Sequence, residues 1–259
     1  LIRRGYIKGI IGLPANLFYG TGIPACIVVI DKENAHTRKG IFMVDASAGF
    51  MKDGPKNRLR DCDIHKIVDV FNRRDDIDAK YARMVSIEEI EKNDFNLNIP
   101  RYVDSSEPPE SWDLYASMFG GIPLRELDVL ANFWKAFPNL RAALFTLDGT
   151  PYAQPKLNDL AAAVSQHPEV TKFNEDFKRA FEGFKPWLHS ELIGKMLTLQ
   201  VPRQEALICD QLFERLAKVG TVPLIDKYQA YQVLDDHWQP IAVDLELVQT
   251  AGFSATPVV

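Results

Sequence analysis

Two short apolar runs open the chain, residues 9–13 (GIIGL) and 25–30 (ACIVVI), the second ending at the charged pair Asp31–Lys32. Runs of this length, rich in Ile and Val and bounded by turn residues, predict buried strands. The loop between them consists largely of Asn, Gly, Thr and Pro and carries two adjacent aromatics, Phe18 and Tyr19. Residues 40–46 (GIFMVDA) predict another buried strand, followed by a polar loop over 49–60. Over 63–73, Ile64, Ile67, Val68 and Phe71 fall on one helical face, with Asp63 as the expected N-cap. Residues 81–85 are strand-like. Ser86 and Glu89 then have the spacing of a capping box, which predicts a short helix ending near Lys92. Residues 96–103 predict a further strand.

The polar, proline-containing stretch 104–111 (DSSEPPES) predicts a domain boundary. Beyond it the pattern turns helical. Leu127, Leu130, Ala131 and Trp134 mark a helix over 123–136. Phe173, Phe177, Phe181 and Phe184 mark one over 168–184, and Leu207, Ile208, Leu212 and Leu216 one over 202–219. The last and longest, 224–248, carries Tyr228, Tyr231, Leu234, Trp238, Ile241, Leu245 and Val248 on a broad stripe, with Pro240 as a candidate kink. Pro168 and Pro202 at helix starts fit the first turn, where no amide donor is needed. The expected fold class is α+β overall: a partial α/β sheet over 1–105, then a mostly α-helical domain over 106–259.

Composition narrows the possibilities. Among 259 residues, 46% are hydrophobic and 25% charged, the balance of a soluble globular protein. No apolar run is long enough to span a membrane. The start, LIRRGYIKG, lacks a signal-peptide core and fits a piece of a longer protein; the expected compartment is the cytoplasm. Cys26, Cys62 and Cys209 are widely spaced, and the five histidines are scattered, so neither zinc nor a catalytic triad is expected. The net charge of −5 argues against a chain that coats DNA alone. Residues 1–105 hold 17 basic against 15 acidic side chains, or +2; the remainder holds 13 against 20, or −7. The second half is therefore better suited to a protein partner than to a phosphate backbone.

Two features carry candidate chemistry. Phe18 and Tyr19 sit where a scaffold displays function, between two strands; core packing of Phe18 is the competing reading. Thr21 offers a hydroxyl beside Gly20 and Gly22 that could reach DNA or the backbone, although a purely structural turn is the favoured reading. Lys52, Lys56, Arg58 and Arg60 lie in the polar loop with Asn57 and could contact phosphate. Asp53, Asp61 and Asp63 dilute that charge, so a solvated loop remains open.

The stretch LPANLFYGTGIP (residues 13–24), followed by its apolar strand, resembles the region after the catalytic motif in N6-adenine DNA methyltransferases. The resemblance is to the modification (M) subunit of type I restriction-modification systems. NDFNLNIPRYV (93–103) is similar to a second signature of that subunit, and residues 226–253 resemble its C-terminal helical part. Together the first two cover roughly residues 1–105. The resemblance implies the last strands of a methyltransferase sheet, with Phe18 and its neighbour Tyr19 facing a target adenine extruded from the duplex. It also implies phosphate contact from the KNRL loop (56–59), and helices that dock on the specificity (S) subunit, beside a second M subunit. The parent reaction would be methyl transfer from S-adenosylmethionine to adenine N6.

The chain departs from the family pattern at two points. It has no [DNS]-P-P-[FYW] tetrapeptide; Pro108–Pro109 lie in SSEPPES. It has no G-x-G-x-x-G, and Gly20-Thr-Gly22 precedes a strand rather than a helix. The expectation is therefore a C-terminal fragment with no catalytic, cofactor-binding or metal-binding residues of its own, inactive alone. The alternative is a non-enzymatic helical interaction module of a DNA-processing complex.

Overall fold

The computed structural model describes residues 1–74, 78–105 and 112–252. It divides into two compact units, Leu1–Pro109 and Glu110–Val259. The predicted boundary falls mostly on 106–111, outside the described residues, as does the chain end 253–259.

In the first unit four strands, β1 (Ile7–Gly12), β2 (Cys26–Ile30), β3 (Gly40–Asp45) and β6 (Ala82–Ser86), form a mixed sheet in the order β2-β1-β3-β6. β1 and β3 are parallel, while the outer strands run antiparallel to their neighbours. Successive side chains point to opposite faces. Ile10, Ile41 and Met43 therefore join one core with Val85, Ile90 and Tyr102, while Ile11, Phe42 and Val44 join another with Ile67 and Val70. Burial on both faces explains why these strands read as unbroken apolar runs. α1 (Asp61–Arg73) covers the second face; α2 (Ile87–Lys92) and the turns after it cover the first. Gly9 permits the close layer: a Cβ there would stand 2.6 Å from the Phe42 carbonyl oxygen and run into the Phe71 ring.

Several expectations change here. β2 is not buried: Ile27, Val28 and Ile30 are each about half exposed. It is an outer strand with one open edge, and apolar composition alone does not reveal which strand lies outermost. The 96–103 stretch is a 3-10 turn (Ile99–Arg101) rather than a strand. The Asn96 side chain takes the Asn98 N–H and Pro100 supplies no donor, so ladder pairing is lost. α1 begins earlier than its pattern indicated, with Arg60 at the N-cap and Asp63 in the first turn. Its buried face holds Cys62, Asp63, Ile67 and Val70, leaving Ile64 and Val68 exposed. The Ser86 cap forms as expected, its Oγ accepting from the Glu89 N–H at 3.1 Å.

Between β3 and α1 the polar loop contains a small hairpin, β4 (Met51–Asp53) and β5 (Lys56–Arg58).

The second unit is mostly helical but contains a three-stranded sheet that the helical pattern did not predict. β7 (Ile122–Pro123), β8 (Phe145–Leu147) and β9 (Tyr152–Pro155) pair in the order β7-β9-β8. Its turn is local chemistry: Asp148 accepts from both the N–H and hydroxyl of Thr150, and Gly149 takes φ +84°. The expected 123–136 helix breaks at Leu130 into α4 (Leu124–Val129) and α5 (Ala131–Ala136). After α3 (Leu114–Phe119), α6 (Leu140–Leu144) and α7 (Leu160–Gln166) come α8 (Pro168–Ala180), α9 (Phe184–His189), α10 (Val201–Leu216) and α11 (Lys227–Ala251). Asp226 caps α11 by accepting from the Tyr228 and Gln229 N–H groups, and Pro240 lies inside it. Tyr228, Tyr231, Asp235, Trp238 and Leu245 form its buried seam.

Candidate nucleic-acid interface

β1 and β2 hold the aromatic loop between their ends. Its base is closed where the Leu13 N–H donates to the Ala25 carbonyl at 2.9 Å. Asn16 turns the chain at φ +57°, a left-handed conformation that Asn tolerates, and Gly20 follows at φ +78°. Gly22 lies against Asn16, so that a Cβ there would be 3.2 Å from the Asn16 Oδ1. The product is a loop tip with Phe18 58% exposed and Tyr19 91% exposed. Thr21 is exposed, its hydroxyl oxygen accepting from the Ile23 N–H at 3.1 Å.

The β4–β5 hairpin meets this loop. Asn57, 6% exposed, donates from its backbone N–H to the Asn16 carbonyl (3.0 Å) and from Nδ2 to the Ala15 carbonyl (2.8 Å). Next to it, the Lys56 ammonium rests on the Tyr19 ring. The hairpin thus brings one member of each separately predicted group, Lys56 and Tyr19, into contact. Lys52 lies over the Phe50 ring at 5.6 Å, and Arg58 pairs with Asp53 at 3.8 Å; both are exposed. Arg60 has a different position: its guanidinium grips both Asp63 oxygens at 2.9 Å while its backbone N–H donates to the same carboxylate. Burial opposes ionisation of Asp63, but these Arg60 contacts prevail and hold its carboxyl below the usual range. The same carboxylate, with burial as the larger cause, raises the Tyr81 phenol.

Sequence reasoning found the aromatics and the lysines but gave Asn57 no role. An isolated Asn between Lys56 and Arg58 carries no periodic signal; only the fold reveals that it spans to residues 15 and 16. Arg101 is exposed, while Tyr102 is buried and donates from its hydroxyl to the Asn96 carbonyl at 2.5 Å, tying the turn to itself. Among the described residues no group of three or more His, Cys, Asp or Glu side chains converges as a metal would require. None of their helices is long and apolar enough to cross a membrane.

Residues 1–111 match the model of the family described as N-6 DNA Methylase. This part of the chain is similar to that family. The methylase match is shared with curated relatives. The chain is 38% identical over 136 residues to the type I restriction enzyme MjaVII methylase subunit of Methanocaldococcus jannaschii, covering 50% of this chain and 23% of the relative. It is 33% identical over 114 residues to the MpnII methylase subunit of Mycoplasma pneumoniae, covering 44% and 21%. A solved type I restriction-modification methyltransferase subunit from Streptococcus thermophilus matches at 43% identity, over 40% of this chain and 21% of that one, with a TM-score of 0.37. The methylase segment thus corresponds to less than a quarter of each relative's length. It is related to the M subunits of type I systems and has the α+β fold described above.

S-adenosylmethionine is the cofactor implied by such a methylase. The nearest glycine-rich element, Gly20–Gly22, leads into β2 and not into a helix N-terminus, and Gly20 has nothing near its missing Cβ. A nucleotide cradle needs a helix start whose amides converge on the ligand. The residues of this loop do not fit that cofactor.

Proposed function

We propose that this chain is the base-side and assembly portion of a type I methylation subunit, inactive alone, whose parent enzyme transfers a methyl group from S-adenosylmethionine to adenine N6 in DNA. The observation that carries this reading is the exposed Phe18–Tyr19 pair on a loop braced by a lysine-bearing hairpin. An extruded base needs an aromatic face, and the strand around it needs cationic partners. Tyr19 with Lys56 on its ring, Thr21 at the loop tip, and Lys52 and Arg58 on the hairpin supply both kinds of contact. Arg60, bound to Asp63, supports α1 and has less freedom to reach a phosphate. The open apolar edge of β2 supports the view that further strands of a methyltransferase sheet add there.

The second unit offers an apolar groove of about 320 Å³ lined by Leu188, Leu192, Ile193, Met196, Ile241 and Leu245. It suits a helix of the specificity subunit, and a second M subunit completes the assembly in the cytoplasm. This groove is also the feature that favours the alternative of a purely structural docking module.

The test is methylation of unmethylated genomic DNA by the full-length subunit in its assembled complex. Phe18→Ala and Tyr19→Ala should each leave folding unchanged and lower methyl incorporation severely in at least one variant. Full activity in both would move the chain to the docking-module reading.

A further inference from the structure

We propose that Asn57 is a positioning residue for capture of the target base, a role that rests on the base-side reading of the Phe18–Tyr19 loop. Asn57 is 94% buried by the complement of its 6% exposure, and it reaches 42 residues back along the chain to the root of the loop. It makes two contacts there, to adjacent carbonyls: Nδ2 to Ala15 and the backbone N–H to Asn16. These hold the left-handed turn at Asn16, from which the chain climbs to Phe18. Its Oδ1, by contrast, is buried and accepts no hydrogen bond from the described residues. A buried amide with an unpaired acceptor is a poor device for stability alone. Its donor side serves the loop root, which makes loop and hairpin one body. Lys56, next in sequence, places its ammonium on Tyr19 as a result of that docking. Aromatic base capture depends on the ring's starting position, and small displacements in such sites lower rates steeply.

Initial rates decide this in the assembled full-length complex, with unmethylated genomic DNA and tritiated S-adenosylmethionine. Asn57→Ala should lower kcat/KM for DNA about tenfold, while KM for S-adenosylmethionine stays unchanged. Asn57→Asp keeps the shape and the backbone bond but loses the Nδ2 donor, and it should fall nearly as far. Wild-type rates in both, or an equal change in both KM values, would overturn the role, because a general folding defect does not distinguish the two substrates. Should neither variant assemble, hydrogen exchange on the wild-type complex replaces them: segments 14–19 and 51–58 should open together, and separate opening rejects the clasp. Phe18→Ala and Tyr19→Ala run in parallel. Full activity in these two rejects the base-side reading and the clasp with it; loss in them with normal Asn57 variants rejects the clasp alone.

Discussion

Asp63 shows how one side chain can be read correctly in kind and wrongly in place. The sequence marks it as a helix-start residue, and it does stabilise the start of α1, but from within the first turn, by accepting from the N–H and guanidinium of Arg60. Hydrogen bonds to a charged group of this type contribute about 1.5–3 kcal/mol each relative to their loss. Asp63→Asn should therefore destabilise the first unit by about 2 kcal/mol at pH 7, measured by urea unfolding. Because folding lowers the Asp63 pKa from 3.8, its contribution is complete at neutral pH and is lost as pH falls through the folded value. The gap between wild type and variant should shrink below about pH 4; a gap constant down to pH 2 would contradict the assignment. Ser86 is the opposite case. Its cap on the Glu89 N–H is contained within four residues, so spacing alone locates it, while the Glu89 carboxylate pairs with Arg83 instead of closing the box. Asn57 has no such local signal, since its partners lie 41 and 42 residues away.

At the scale of elements, local chemistry and long-range pairing separate clearly. The unbroken apolar run at the start of 40–46 matches β3, whose side chains reach opposite cores. For β2 the same composition misled, because burial depends on what lies across the edge. Among the described residues no strand pairs with its outer side, which carries the exposed Ile27, Val28 and Ile30. Such an edge templates association. Isolated at high concentration, the chain should self-associate in sedimentation velocity, and Val28→Lys should shift it towards monomer without changing the far-UV spectrum. A wild-type chain that stays monomeric across the range would remove the case for strand addition at this edge. The β8–β9 turn was missed for a different reason: the region was read only for helical periodicity, and the Asp148-Gly149 turn lies between two such stretches.

For the whole molecule, the two units carry different chemistry. The first has the aromatic loop and nearly balanced charge, while the second is acidic and carries the apolar groove. On the proposed reading, cofactor binding belongs to neither. Titration calorimetry of this chain with S-adenosylmethionine should give no saturable heat; micromolar saturable binding would refute the cofactor part of the proposal.

By itself, the sequence determined the α+β class, the helix caps that close within one turn, the aromatic and basic side chains of the loop, and the methylase resemblance of roughly residues 1–105. These depend on residue type and on spacings of a few positions, which propensity and periodicity encode directly. The tertiary structure alone decided that β2 is an exposed outer strand, which face of α1 is buried, and that the hairpin joins Lys56 and Asn57 to the Tyr19 loop. Each of these is set by contacts between segments tens of residues apart. Such contacts form only where both partners can be buried or paired at once, a condition that no single stretch of sequence contains.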